Sequence, residues 1–236
     1  MKTVQSVEKK TPRKHGGKRE GAGRPQSKKP PVPHRSRPPL NGSLHPVHAT
    51  LRVKQHVWNM RSQRSFTRIG HSFKRSRERF GMRLIQFAVL GNHLHLVVEA
   101  HDERALGRGM RALEISITKR LNNMMGTRGR VFTERYHSRI LLSGDDVANV
   151  LRYLRDNHVK HYRSRADEDV FCSVGKKLTT RPALAELVAP PRTWLLRIGW
   201  RVGTMGLVEP EGWDAGADGD LKRAYVASSR RRTRRR

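Results

Sequence analysis

The chain has 236 residues and a formal net charge of +30, with 50 Lys and Arg against 20 Asp and Glu, a length that suits one ordinary domain with extensions or two small ones. Its single cysteine, Cys172, excludes an internal disulfide framework and a cysteine-built zinc site. No apolar run approaches the ~18 residues of a membrane span and no apolar signal stretch follows Met1, so a soluble, cytoplasmic protein without a membrane partner is expected.

Residues 1–46 hold 8 of the 12 prolines and 12 Lys/Arg against 2 Glu, with almost no large apolar side chains. Such a segment buries too little surface to offset its ordering entropy and reads as a disordered basic arm. Within it, Gly23-Arg24-Pro25 has the composition of a minor-groove contact, although a solvated arm is the simpler reading. The chain ends in Arg230-Arg231-Arg232-Thr233-Arg234-Arg235-Arg236, part of a second basic tail over 227–236. Because positive charge runs through the middle of the chain as well, a polyanionic partner is expected, nucleic acid foremost, with a location on the nucleoid.

Between the tails, Val47, Ala49, Leu51 and Val53 alternate with polar residues and predict a half-buried strand. Phe66, Ile69, Phe73 and Phe80 fall at helical spacing, with Ser62 as cap and Gly81 as stop. Leu84–Leu90 and Leu94–Glu99 flank Gly91-Asn92 and predict a hairpin. A helix opened by Asp102 and closed by Gly126 has the stripe Leu106, Met110, Leu113, Ile117, Leu121 and Met124. Residues 131–142 predict a further strand. Asp145 is expected to cap a third helix with Val147, Val150, Leu151 and Leu154 on one side. This βαββαβ order followed by a helix predicts an α+β, ferredoxin-like antiparallel sheet with an additional C-terminal helix. Residues 167–226 form an extension of unknown role, in which 190–200 predicts a short amphipathic helix after a rigid turn.

The residue types that carry chemistry concentrate in two places. In Gly91-Asn92-His93-Leu94-His95-Leu96-Val97-Val98-Glu99, residues two apart share a face, so His93 and His95 project together about 7 Å apart. Such a pair can chelate one metal ion or be two satisfied surface histidines; Glu99, on the same face, is a lesser candidate ligand. In Arg152-Tyr153-Leu154-Arg155-Asp156-Asn157, Tyr153 and Asn157 are one helical turn apart, beside the apolar stripe rather than within it.

Asn-His-Leu-His-Leu on a strand, Arg130–His137, and Arg-Tyr-Leu-Arg-Asp-Asn on a later helix together resemble the single-tyrosine HUH transposase family, in its REP-associated and insertion-sequence-200-like branches, over residues 46–163. The resemblance implies that 47–166 is a catalytic domain for metal-dependent cleavage and transfer of single-stranded or hairpin DNA. It implies His93, His95 and Asn157 as ligands to Mg²⁺ or Mn²⁺, and Tyr153 as the nucleophile of a covalent 5′-phosphotyrosine. With one tyrosine, two cleavages need a homodimer or two rounds. Arg24, Arg135, Arg152 and Arg155 are the candidate DNA contacts. Tyr136 and Tyr162 are expected to be packed or structural, and His137, His158 and His161 to be surface or DNA-contacting. Two competing readings are a non-catalytic nucleic-acid-binding protein on the same fold and an RNA-recognition module, for which Phe87 is the one stacking aromatic in the hairpin.

Overall fold

The computed structural model describes Leu40 and residues 45–163 and 166–201. Arg24, the basic arm up to Leu44 except Leu40, and the tail after Arg201 lie outside the described residues. Five strands and three α-helices follow in the order β1 (Val47–Arg52), α1 (Gln63–Ser76), β2 (Glu78–Arg79), β3 (Met82–Val89), β4 (His93–Ala100), α2 (Glu103–Met125), β5 (His137–Ile140) and α3 (Gly144–Tyr162). The strands form one sheet in the order β2-β3-β4-β1-β5, with every ladder antiparallel. Apart from the two-residue β2, this is the ferredoxin-like arrangement expected from the sequence.

Local signals set most of these boundaries. Ser62 accepts from the Ser65 amide at the start of α1. Asp102 accepts from the Ala105 amide and Gly126, at φ 69°, closes α2, so donors left free at one end and carbonyls at the other are satisfied. Two caps differ from expectation. α1 ends at Ser76, and Phe80 instead sits in the turn between β2 and β3 with φ 55° beside Gly81 at 75°. For α3 the cap is Ser143, not Asp145: Ser143 has the extended backbone of a cap and its side chain accepts from the Asp146 amide. Asp145 and Asp146 then occupy the first turn, where negative charge suits the helix dipole. The strand expected over 131–142 is ordered as a ladder only at His137–Ile140. Upstream it makes a single bridge, Phe132 to Val53, and then turns away to bury Tyr136 in the core.

The sheet is covered on both faces. On the first, Ile69 and Phe73 of α1 and the full α2 stripe pack with Val47, Ala49, Leu51, Leu94, Leu96 and Val98. On the second, Val147, Val150, Leu151 and Leu154 of α3 pack with Ile85, Ala88 and Val97. A register shift between Leu84 and Gln86 changes the phase of β3, so that Leu84 and Phe87 join the first core while Ile85 and Ala88 join the second. That is why β3 reads as a continuous apolar run. Phe87 is fully buried against Phe73, so it is no stacking platform and the RNA-recognition reading loses its aromatic.

Part of the extension completes the second core. Trp194, Leu195, Leu196 and Trp200 pack on α3, around a single π-helical turn at Leu195–Gly199. A Cβ built on Gly144 would collide with the Gly199 carbonyl oxygen, so the N-terminus of α3 crosses this turn backbone to backbone. Gly144→Ala is therefore expected to cost about 1–3 kcal/mol, as overpacking does, read as a lower urea midpoint. A midpoint equal to wild type would show that the crossing yields easily.

Candidate functional site

The site lies on the sheet face that α3 covers. With Leu94, Leu96 and Val98 directed to the first core, the alternate residues His93, His95, Val97 and Glu99 face α3. β1 adds His48, Thr50 and Arg52 to this face, with Thr50 opposite His95 and Arg52 opposite His93. α3 crosses above with Tyr153, Asn157 and His161, spaced one turn apart.

His95 is the centre of the contacts and is 5% exposed. Its Nε2 lies 3.3 Å from the Tyr153 hydroxyl. Its Nδ1 lies 3.2 Å from His48 Nε2 and 3.2 Å from Thr50 Oγ1. The His93 ring stands edge-on to His95 with centroids 4.9 Å apart, and its Nδ1 donates to Asn92 Oδ1 at 2.7 Å, which leaves the Nε2 lone pair unused. His161 stands edge-on to His93 at 5.9 Å. Tyr153 thus meets His95, and His161 meets His93, two turns along the same helix face. Asn157 is the residue between them. It is 2% exposed, and neither its amide nitrogen nor its oxygen has a hydrogen-bond partner. An unpartnered buried carboxamide costs about 1–3 kcal/mol, a cost that a water or an ion bound at this position would relieve.

The protonation states suit metal binding. Burial, followed by the charges of His48, His93 and His161, pushes His95 down to about 3. Burial, with Arg139 and His137, pushes His48 down to about 4. Burial, His161 and Arg52 lower His93 from its ordinary value. At neutral pH all three imidazoles are uncharged and their lone pairs are available. Tyr153 is 38% exposed, so the residue borders solvent while its hydroxyl faces His95.

Other predicted residues are placed elsewhere. Glu99 is directed away from the histidines: it pairs with Arg83 and accepts from the backbone of Arg192 and Thr193 and the Thr193 hydroxyl, holding the extension to the sheet. Its lesser candidacy as a ligand is corrected accordingly. Tyr162 accepts from the Gly91 amide at 2.6 Å, and the Arg61 guanidinium lies 4.4 Å from its ring centroid while pairing with Asp169 through two nitrogens. His158 faces the carbonyl oxygens of Arg155 and Ala166, pinning the end of α3 to the following loop. Both are structural here. Arg152 and Arg155 flank Tyr153 on α3, Arg155 paired with Asp156. Arg135 is apart from the histidines, exposed in a groove of about 380 Å³ that Lys119 and Arg130 also line. Cys172 is buried, and burial pushes its thiol up to about 12, which removes it as a nucleophile. Among the described residues, no helix is long and apolar enough to cross a membrane.

Sequence reasoning missed His48 and undervalued His161. The available signal was modest: His48 shares the outward parity of β1, and His161 is the second step of the Tyr153–Asn157 spacing.

Residues 43–157 match the family described as transposase, IS200-like. Over this stretch the chain is similar to the IS200-like transposase family. No curated protein sequence matches the chain. Among solved structures, a REP-associated tyrosine transposase bound to a REP hairpin is similar at 14% identity and a TM-score of 0.50, covering 69% of this chain and 94% of that one. A proposed transposase from Deinococcus radiodurans R1 is similar at 13% identity and a TM-score of 0.36, covering 52% of this chain and 93% of that one. At these identities the first likeness bears on the fold, which is shared between the IS200-like region and the REP-associated protein.

Proposed function

We propose that the protein is a metal-dependent endonuclease and strand transferase for single-stranded, hairpin-bearing DNA, acting through a covalent 5′-phosphotyrosine at Tyr153. The match of residues 43–157 to the IS200-like transposase family supports a transposase-type role on DNA, and the REP-associated protein of similar fold was solved on a hairpin. The observation that carries the finer reading is the Tyr153 phenol 3.3 Å from His95 Nε2, beside the unpartnered amide of Asn157.

His93, His95 and Asn157 fit a divalent ion: two neutral imidazoles and a buried amide oxygen that lacks any other partner. This mixed N/O set, completed by phosphate and water oxygens, suits Mg²⁺ or Mn²⁺. Bound there, the ion supplies Lewis-acid polarisation of the scissile phosphate. The chain's own residues do the rest. Tyr153 Oη attacks phosphorus and its proton passes to solvent. The bond from phosphorus to the 3′ oxygen breaks, and that oxygen takes a proton to leave as a 3′-OH. One ester replaces another, so the 3′-OH of a second strand can later displace Tyr153 without an energy source. Arg152 and Arg155, beside Tyr153, and Arg135 in its separate groove are the proposed phosphate contacts. A location on the nucleoid follows from this substrate. Two cleavages call for two protomers of a homodimer or two successive rounds.

The test is incubation of the protein with labelled single-stranded hairpin DNA and Mg²⁺. A labelled adduct that survives SDS is expected. Binding without an adduct would favour the non-catalytic nucleic-acid-binding alternative.

The basic segments outside the described residues give a separate expectation. The arm over 1–46 has a net charge of +10 from its 12 Lys/Arg and 2 Glu, and the tail ends in six arginines. Charges that neutralise phosphates raise affinity for any DNA and steepen its salt dependence. Deleting 1–46 and 227–236 should weaken binding to all sequences and flatten the plot of log K against log salt, with cleavage positions unchanged. A shifted cleavage position at an unchanged slope would mean that the arms read sequence, with Gly23-Arg24-Pro25 the segment to examine.

A further inference from the structure

Taking His93 and His95 as metal ligands, as proposed above, the direction of each lone pair becomes decisive, because a neutral imidazole has one N–H and one acceptor nitrogen. For His93 the turn before β4 settles the matter. Asn92 Oδ1 accepts from Nδ1, so Nε2 keeps its lone pair. His95 has no such neighbour in sequence. Its Nδ1 faces β1 instead, where His48 Nε2 and Thr50 Oγ1 each lie at 3.2 Å.

His48 reaches His95 diagonally. Its strand partner is Val97 and that of Thr50 is His95, yet the His48 and His95 rings stack at 5.2 Å with planes 30° apart. His48 also meets the edge of the Tyr153 ring, with centroids 6.4 Å apart. His95 is therefore held at both nitrogens by different elements, β1 at Nδ1 and α3 at Nε2. With the proton on Nε2, His95 would donate to the phenol and turn its lone pair toward β1, where an ion cannot be shared with Asn157. With the proton on Nδ1, the lone pair is directed at Tyr153 and the space under α3. The Thr50 hydroxyl can rotate away from Nδ1, whereas the stacked His48 ring keeps its Nε2 aimed there, and with its own proton on Nδ1 that nitrogen is an acceptor.

We propose that His48 is a positioning residue that accepts the Nδ1 proton of His95 and so holds the Nε2 lone pair toward Tyr153 and the metal site. It acts through His95, as hydrogen-bond partners of metal-binding histidines commonly do. Asn92 does the same for His93 from the turn before β4, so the two histidines receive the same tautomer, one from a turn and one from β1.

The experiment uses the full chain, ¹⁵N-labelled and metal-free, with ¹H–¹⁵N correlations reporting which His95 nitrogen bears hydrogen, and Mn²⁺ binding followed separately by electron paramagnetic resonance. Wild type should carry the proton on Nδ1. His48→Gln, whose amide oxygen can accept from the same direction, should keep that tautomer and bind Mn²⁺ like wild type. His48→Leu should lose it and bind Mn²⁺ about 10- to 100-fold more weakly. Thr50→Val should resemble wild type. The proposal is overturned by a wild-type His95 protonated on Nε2, by an unchanged tautomer in His48→Leu, or by Thr50→Val producing the loss that His48→Leu does not. If His48→Leu fails to fold, the wild-type tautomer and the His48→Gln result still decide. A tautomer that depends on His48 in a protein that binds no Mn²⁺ would support the role of His48 and overturn the metal reading instead.

Discussion

Tyr153→Phe is expected to abolish the SDS-stable adduct and lower cleavage by at least about 10³-fold, the scale on which loss of a nucleophile is felt. Binding to the same hairpin DNA should be close to wild type. Only one oxygen is removed, from a ring that is 38% exposed, and the hydrogen bond lost to His95 is worth about 1 kcal/mol. The other described tyrosines cannot substitute: Tyr136 is buried in the first core and the Tyr162 hydroxyl is engaged by Gly91. An adduct that persists would have to be mapped to its residue, and Tyr153 would lose its role. Mixing Tyr153→Phe protein with a chain lacking both site histidines adds a second measurement. Tyr153 and His95 of one chain already meet, so the mixture should recover no adduct. Recovery would show that α3 of one chain serves the histidines of another.

The second large effect concerns the ion. His93→Ala with His95→Ala should abolish cleavage, and EDTA should abolish it in the wild type, with Mg²⁺ or Mn²⁺ in excess restoring it. Asn157→Leu separates the ligand set from the fold. Replacing an unpartnered buried amide by an apolar side chain of similar size removes a desolvation cost, so this variant should melt at or above the wild-type temperature while losing metal-dependent cleavage. A fall in both would show that Asn157 has a structural partner in solution. Cleavage undiminished in EDTA would remove the metal from the reaction.

Much of this architecture was legible along the chain. The α2 stripe is continuous from Leu106 to Met124 between two strong end signals, and β1 and the first half of β4 alternate, because each packs one face against α1 and α2. The same alternation puts His93 and His95 on one face, and helical spacing puts Asn157 one turn from Tyr153. Nearest-neighbour geometry is enough for such pairs, since strand and helix periods are properties of the backbone itself. Where several local candidates compete, sequence was less decisive. Ser143 and Asp145 are both good caps, and only the extended backbone at Ser143 selects it. Phe80 continues the period of α1 but sits past its end, in a turn that Gly81 permits.

The remaining features depend on contacts between distant segments. His48 and His95 are 47 residues apart, and they meet because β1 lies beside β4 in the order β3-β4-β1-β5, with a register that brings position 48 within diagonal reach of position 95. The apolar residues of 190–200 read as a short amphipathic helix, but they bury themselves around one π-helical turn at Leu195–Gly199 and against α3. Sequence by itself determined which residues could carry the chemistry: two histidines on one strand face, and a phenol and an amide on one helix face. Tertiary structure alone decided that those two faces meet, that His48 joins them and that Glu99 does not. The reason is physical: periodicity is set by the torsions of one segment, whereas the pairing of faces is set by strand order, register and the two apolar cores that close on either side of the sheet.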